Sequence, residues 1–77
     1  RNGGLMLYPN PVDGDLINLK STSPILEEVT IVDISGKVVD IQKLSYQMQS
    51  VDLHGLQSGV YVLLVPGKGS FRFIIEE

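Results

Sequence analysis

His54 is the only histidine of the chain and follows Asp52 by two residues. In an extended strand, side chains two apart share a face, so an imidazole and a carboxylate at this spacing could pass a proton. General acid–base work also needs a group that orients the imidazole and a concave site, and no motif for either accompanies the pair. His54-Gly55 reads instead as an exposed turn. A second set of oxygen donors, Asn10, Asp13 and Asp15, has the opening spacing of a calcium loop but lacks the distal bidentate glutamate. Asp13-Gly14-Asp15 therefore reads as turn chemistry with solvated carboxylates. No Ser-His-Asp order, phosphate-cradling glycine loop or metal-ligand spacing occurs, and the absence of cysteine removes thiol nucleophiles, disulfides and cysteine-based zinc sites. The expectation is a domain without catalytic residues, metal or cofactor.

The elements that would hold these residues follow from size and punctuation. A chain of 77 residues makes one small domain. It buries only about 60% of the surface its unfolded form exposes, so its core is thin. Gly, Pro, Asn and Asp recur at intervals of about 8–12 residues, the spacing of short strands in a sandwich or barrel. The segments between them are rich in Val, Ile, Leu and Tyr and mostly too short for helices. Strands are expected near Leu5–Tyr8, Leu16–Lys20, Val29–Asp33, Lys37–Leu44, Gln49–Leu53, Val60–Val65 and Phe71–Ile75. About seven strands are the number of an immunoglobulin-like antiparallel β-sandwich. The all-β class is the prediction.

The turns support it one by one. Asp13-Gly14 lies between the first two strands and reads as a reversal. In Asp33-Ile34-Ser35-Gly36 an Asp opens and a Gly closes the turn, which predicts a hairpin between the third and fourth strands. Pro66-Gly67-Lys68-Gly69 predicts a second hairpin joining the last two. Val39-Asp40-Ile41-Gln42-Lys43 begins with apolar–polar alternation, as in a strand with one face in water. Val60–Val65 does not alternate; it is either central and covered twice or offers its outer face to a partner. Leu56-Gln57-Ser58-Gly59-Val60-Tyr61 reads as a tyrosine corner, with Tyr61 bonding back to upstream backbone and Gly59 allowing the chain to approach at the bend.

Charge and hydropathy exclude several partners. The net charge is −3, and Arg1, Lys20, Lys37, Lys43, Lys68 and Arg72 are scattered, leaving no basic patch for nucleic acid. No apolar run approaches the roughly 20 residues of a membrane helix, and no charged-then-apolar leader opens the chain. Arg1-Asn2-Gly3-Gly4 reads as the end of a linker, with the domain running from residue 5 to residue 77. The chain is thus expected to be a piece of a larger protein.

Read together, three motifs and a closing strand resemble one family, the C-terminal sorting domain of the type IX (Por) secretion system of Bacteroidetes. Tyr8-Pro9-Asn10-Pro11 followed by Leu16-Ile17-Asn18-Leu19 is similar to its first motif. Val29 to Asp33 with the turn through Gly36-Lys37 is similar to its middle. Asp52-Leu53-His54-Gly55-Leu56-Gln57-Ser58-Gly59-Val60-Tyr61 is similar to its third signature, and Phe71-Arg72-Phe73-Ile74-Ile75 to its final strand. The resemblance runs from about Leu7 to Ile75. It implies an immunoglobulin-like sandwich at the C-terminus of a cargo protein. Such a domain directs its cargo from the periplasm through an outer-membrane translocon to the cell surface, where a sortase usually removes it. The implied partners are the translocon components, the sortase and the upstream cargo domain, with cleavage in residues 1–4. The implied sorting residues are Pro9, Asn10, Pro11, Asp33, Gly36, Lys37, Gly59, Tyr61, Arg72, Phe73, Ile74 and Ile75. One departure stands out: family members commonly follow the last strand with basic residues, whereas Glu76-Glu77 reverses the sign and leaves Arg72 as the nearby cation.

Two other expectations arise from the residues themselves. An immunoglobulin-like accessory module that braces a neighbouring domain or binds a glycan would use the doubly apolar Val60–Val65 strand. An edge-strand dimer would use Phe71–Ile75, which little charge guards.

Overall fold

The computed structural model describes residues 4–76; Arg1, Asn2, Gly3 and Glu77, with most of the expected linker, lie outside the described residues. Seven strands follow in order: β1 (Met6–Tyr8), β2 (Leu16–Lys20), β3 (Glu28–Asp33), β4 (Val38–Lys43), β5 (Ser50–Asp52), β6 (Gly59–Val65) and β7 (Gly69–Ile75). No helix occurs among the described residues. Strands β1-β2-β5 form one antiparallel sheet and β4-β3-β6-β7 the other. That partition is an immunoglobulin-like one, A-B-E against C′-C-F-G, with the tyrosine corner at the start of the F strand. The all-β sandwich expected from the sequence is the observed fold.

The core lies between the sheets and follows the period of two. Ile17 and Leu19 from β2, Val29 and Ile31 from β3, and Tyr61, Leu63 and Val65 from β6 point inward, with Phe71, Phe73 and Ile75 from β7. Loop residues Leu5, Val12, Ile25, Leu44 and Leu53 plug the ends. Phe73 is the largest fully buried side chain, and its ring stacks on Tyr61 with centroids 5.8 Å apart. Buried aromatic pairs of this kind add roughly 0.5–1.5 kcal/mol beyond the area they hide.

Both predicted hairpins form. In the first, the Gly36 N–H donates to the Asp33 carbonyl at 2.9 Å, and Gly36 takes φ +89°, which a side chain would strain. In the second, the Lys68 N–H donates to the Val65 carbonyl at 3.0 Å. The expected reversal at Asp13-Gly14 does not form as a tight turn. Gly14 is not among the glycines with positive φ, and Val12 within that loop makes a parallel bridge to Ile75 instead. The loop leaves its sheet to reach β7 at Val12 and returns to β2, a path too long to need a glycine at its tip.

Two strands differ from their sequence pattern. β4 pairs Asp40 with Ile31 and Gln42 with Val29, so its polar residues share a face with buried core residues. Val38 and Ile41, opposite Val32 and Thr30, turn outward, and a bulge at Val39 sets this phase. β6 is central in its sheet, between β3 and β7, yet has one covered face: Leu64 on the other face is 39% exposed. Replacing Phe73 with Ala is expected to cost about 3–5 kcal/mol in a urea titration. Ile34→Ala, at a side chain 79% exposed, should change stability by no more than about 0.5 kcal/mol.

Candidate functional site

Residues from each of the three sequence motifs converge on one end of the four-stranded sheet. Asp33 at the end of β3 is the register partner of Tyr61, and Tyr61 is the partner of Phe73. One position further on, Val60 pairs with Ile74, and Gly59 pairs with Ile75, which is bridged in turn by Val12. The turn carrying Gly36 and Lys37 closes the same end. These residues lie on three strands and two loops, and only the register brings them together.

Asn10 ties the first motif to the last. Its Nδ2 donates to the Arg72 carbonyl at 3.3 Å and its Oδ1 accepts from the Ile74 N–H at 3.1 Å. A primary carboxamide carries the same donor and acceptor as a peptide unit, so Asn10 pairs with the outer edge of β7 as a strand residue would. Val12 continues the pairing: its N–H donates to the Ile74 carbonyl at 2.6 Å, and its carbonyl accepts from the Glu76 N–H at 2.9 Å. Pro9 and Pro11 flank Asn10, each preceded by a cis peptide bond. Having no N–H, they offer no donor to a further strand.

The same device recurs twice at positions the sequence reading did not single out. Gln42 on β4 accepts from the Asp52 N–H at 2.9 Å and donates Nε2 to the Asp52 carbonyl, which occupies the outer edge of β5. Gln49 accepts from the Ile25 N–H at 3.1 Å and donates to the Ile25 carbonyl at 2.8 Å. Gln42 stood as a polar position of an alternating strand, and no local pattern marked it as turned inward.

The turn at Asp33 is held by its own carboxylate. Oδ1 accepts from the Ser35 hydroxyl at 2.7 Å, the Ser35 N–H at 2.9 Å and the Lys37 N–H at 3.0 Å. The Ser35 hydroxyl first and the Lys37 N–H second hold this carboxyl below the usual aspartate range, against a smaller opposing effect of desolvation. At the start of β6, the Tyr61 hydroxyl donates to the Gln57 carbonyl at 2.7 Å, which is the tyrosine corner read from the sequence. Gly59 differs from its expected reason. An added Cβ would meet nothing closer than 3.9 Å, so the requirement is its φ of +152° and not a close approach.

The residues first considered for chemistry serve turns. Asp52 Oδ1 accepts from the His54 N–H at 2.9 Å, so the carboxylate holds backbone and does not meet the imidazole. His54 Nδ1 lies 3.8 Å from Asp15 Oδ2, with side chains 81% and 73% exposed, a pairing that water and salt screen. Asn10, spent on β7, is not part of an acidic cluster with Asp13 and Asp15. What the site presents is a rigid, hydrogen-bonded surface.

Residues 6–76 match the model of the family described as the secretion system C-terminal sorting domain. No curated protein and no solved structure gives a significant match.

Asn10→Ala removes both bonds to β7 and is expected to cost about 1–2 kcal/mol in stability, with faster amide exchange at Ile74. The Asp33 carboxyl predicts the acid behaviour. Its folded-state pKa is depressed, so its contribution is present above the unfolded-state value and is lost as pH falls through the lower folded-state value. Thermal melts between about pH 5 and about pH 2 should therefore show a smaller drop for Asp33→Asn than for the natural chain.

Proposed function

The chain belongs to the secretion-system C-terminal sorting domain family, and from that premise we propose that the machinery reads the motif-bearing end of the four-stranded sheet as a folded surface. The domain is the C-terminal sorting signal for type IX secretion, the Bacteroidetes route by which a cargo protein reaches the cell surface, and it interacts with the machinery of that system. Among the described residues no helix is long and apolar enough to cross a membrane.

Within this role, the surface that is read comprises Pro9, Asn10, Pro11, Asp33, Gly36, Lys37, Gly59, Tyr61, Arg72, Phe73, Ile74 and Ile75. Their roles divide by burial. Tyr61, Phe73 and Ile75 are buried and shape the end from within, while Pro9, Asn10, Pro11, Gly36, Lys37 and Arg72 are exposed and available to a partner. The observation that carries the proposal is the Asn10 carboxamide on the backbone of Arg72 and Ile74, because it makes the first and last motifs one surface. The domain, residues 5–77, travels through the periplasm with its cargo and acts by being recognised and not by catalysis. The turn roles of Asp52 and His54 support that reading. A sortase then separates domain from cargo in residues 1–4. Dimerisation through β7 would be confined to Ser70–Arg72, since Asn10 and Val12 occupy the edge beyond.

Fusion of this chain to a periplasmic reporter in a type IX-competent host tests the reading. Surface delivery is expected; an intact, folded fusion held in the periplasm would count against it. Pro9→Ala combined with Pro11→Ala separates recognition from architecture. Lost export at unchanged melting temperature assigns the prolines to recognition, and lost stability assigns them to the fold.

A further inference from the structure

Four strands border the two sheets, and their outer backbone groups differ in what meets them. β5 is covered by the Gln42 carboxamide. β4 is blunted by Asp40, whose carboxylate accepts the Ile41 N–H at 2.8 Å and the Gln42 amide at 2.8 Å. The lower half of β7 is covered by Asn10 and Val12. Two further stretches are open. β1 pairs on one side only, with β2. In β7 the Arg72 carbonyl and the Ile74 N–H point outward to Asn10, so strand geometry turns the Arg72 N–H and both backbone groups of Ser70 to the same side. Among the described residues no donor or acceptor meets them.

These two open edges face one groove of about 360 Å³, lined by Leu5, Met6, Leu7, Asn10, Ser70, Phe71 and Arg72. Its apolar lining comes from Leu5 and Phe71, both largely buried, Leu7, half buried, and Met6, exposed. Asn10 closes the end at which its carboxamide stops the pairing on β7. A row of unmet backbone donors and acceptors specifies an extended chain as occupant, because only an extended backbone repeats them at the strand spacing. Alternation specifies the side chains. On a strand added beside β7, one residue turns inward over Phe71 and its neighbours turn outward beside Arg72. Arg72 is exposed, and among the described residues no carboxylate pairs with it.

We propose that the seam between β1 and the Ser70–Arg72 edge of β7 is a binding site for an extended peptide that adds as a strand to β7, with an apolar side chain over Phe71 and an adjacent Asp or Glu beside Arg72. A second copy of this chain fits less well. Leu5–Tyr8 and Ser70–Arg72 carry no carboxylate, and antiparallel pairing of two β7 edges about Arg72 would set two guanidinium groups opposite each other, which destabilises a sheet. The inference goes beyond the sorting reading and is tested without export.

The experiment selects peptides from a randomised heptapeptide library on the 77-residue chain, then titrates a fluorescein-labelled selected peptide by fluorescence polarisation. Selected peptides should carry Asp or Glu next to an apolar residue and no central proline. Changing that acid to its amide should weaken binding about two- to fivefold, the range of a cross-strand charge pair. On Arg72→Gln the acid and amide forms should bind alike, and N-methylation of a central peptide amide should abolish binding. Amide shifts of the natural chain on saturation should be confined to residues 5–7 and 70–72, a readout that needs no variant. The proposal is overturned by failure to select any peptide or by binding indifferent to the acid. It is equally overturned by shifts on the outer face at Val38, Ile41 and Val62, or by self-association of the chain through the seam.

Discussion

A β-sheet ends in a row of peptide groups that need partners, and this domain meets that need with side-chain carboxamides. Asn10, Gln42 and Gln49 each present one donor and one acceptor to a backbone N–H and C=O on another segment. A carboxamide is a peptide unit without the chain, so Asn10 and Gln42 end a ladder where another strand would have extended it, while Gln49 holds the loop at Ile25. Each such bond is worth only about 0.5–1.5 kcal/mol net. That is a sizeable fraction of the stability of a small domain without disulfides. The caps also discourage pairing with other copies, a real hazard for a sandwich bordered by four strand edges.

Seen through these bonds, the Tyr-Pro-Asn-Pro stretch is part of the architecture. Its prolines supply no donor, its asparagine supplies the missing pairing to β7, and the valine just beyond joins the edge itself. This stretch and the last strand form one surface, because the Asn10 side chain is hydrogen-bonded to the backbone of β7.

Much of this was legible in the sequence. The apolar runs and the Asp-x-x-Gly and Pro-Gly turns placed all seven strands to within about two residues, because hairpin turns and inward-facing Val, Ile and Leu are local signals. Tyr61 was legible for the same reason, since its partner Gln57 is four residues away. What escaped was set by distant pairing. The inward phase of Asp40 and Gln42 depends on a bulge in the register with β3, and the Asn10 bonds span 62 and 64 positions. The loop at Asp13-Gly14 looked like a turn because nothing nearby showed that Val12 was already committed to β7.

That commitment has a consequence for when the molecule can exist. Val12 and Asn10 find their partners only at Arg72, Ile74 and Glu76, almost the full length of the chain away. During synthesis the amino-terminal motif therefore emerges long before the strand that completes it, and such non-local closure is slow as well as late. A chain truncated before β7 lacks both the Phe73 ring and the edge that Asn10 binds, so the assembled surface belongs only to chains translated through β7. Placed behind its cargo, such a domain certifies that everything in front of it has been made.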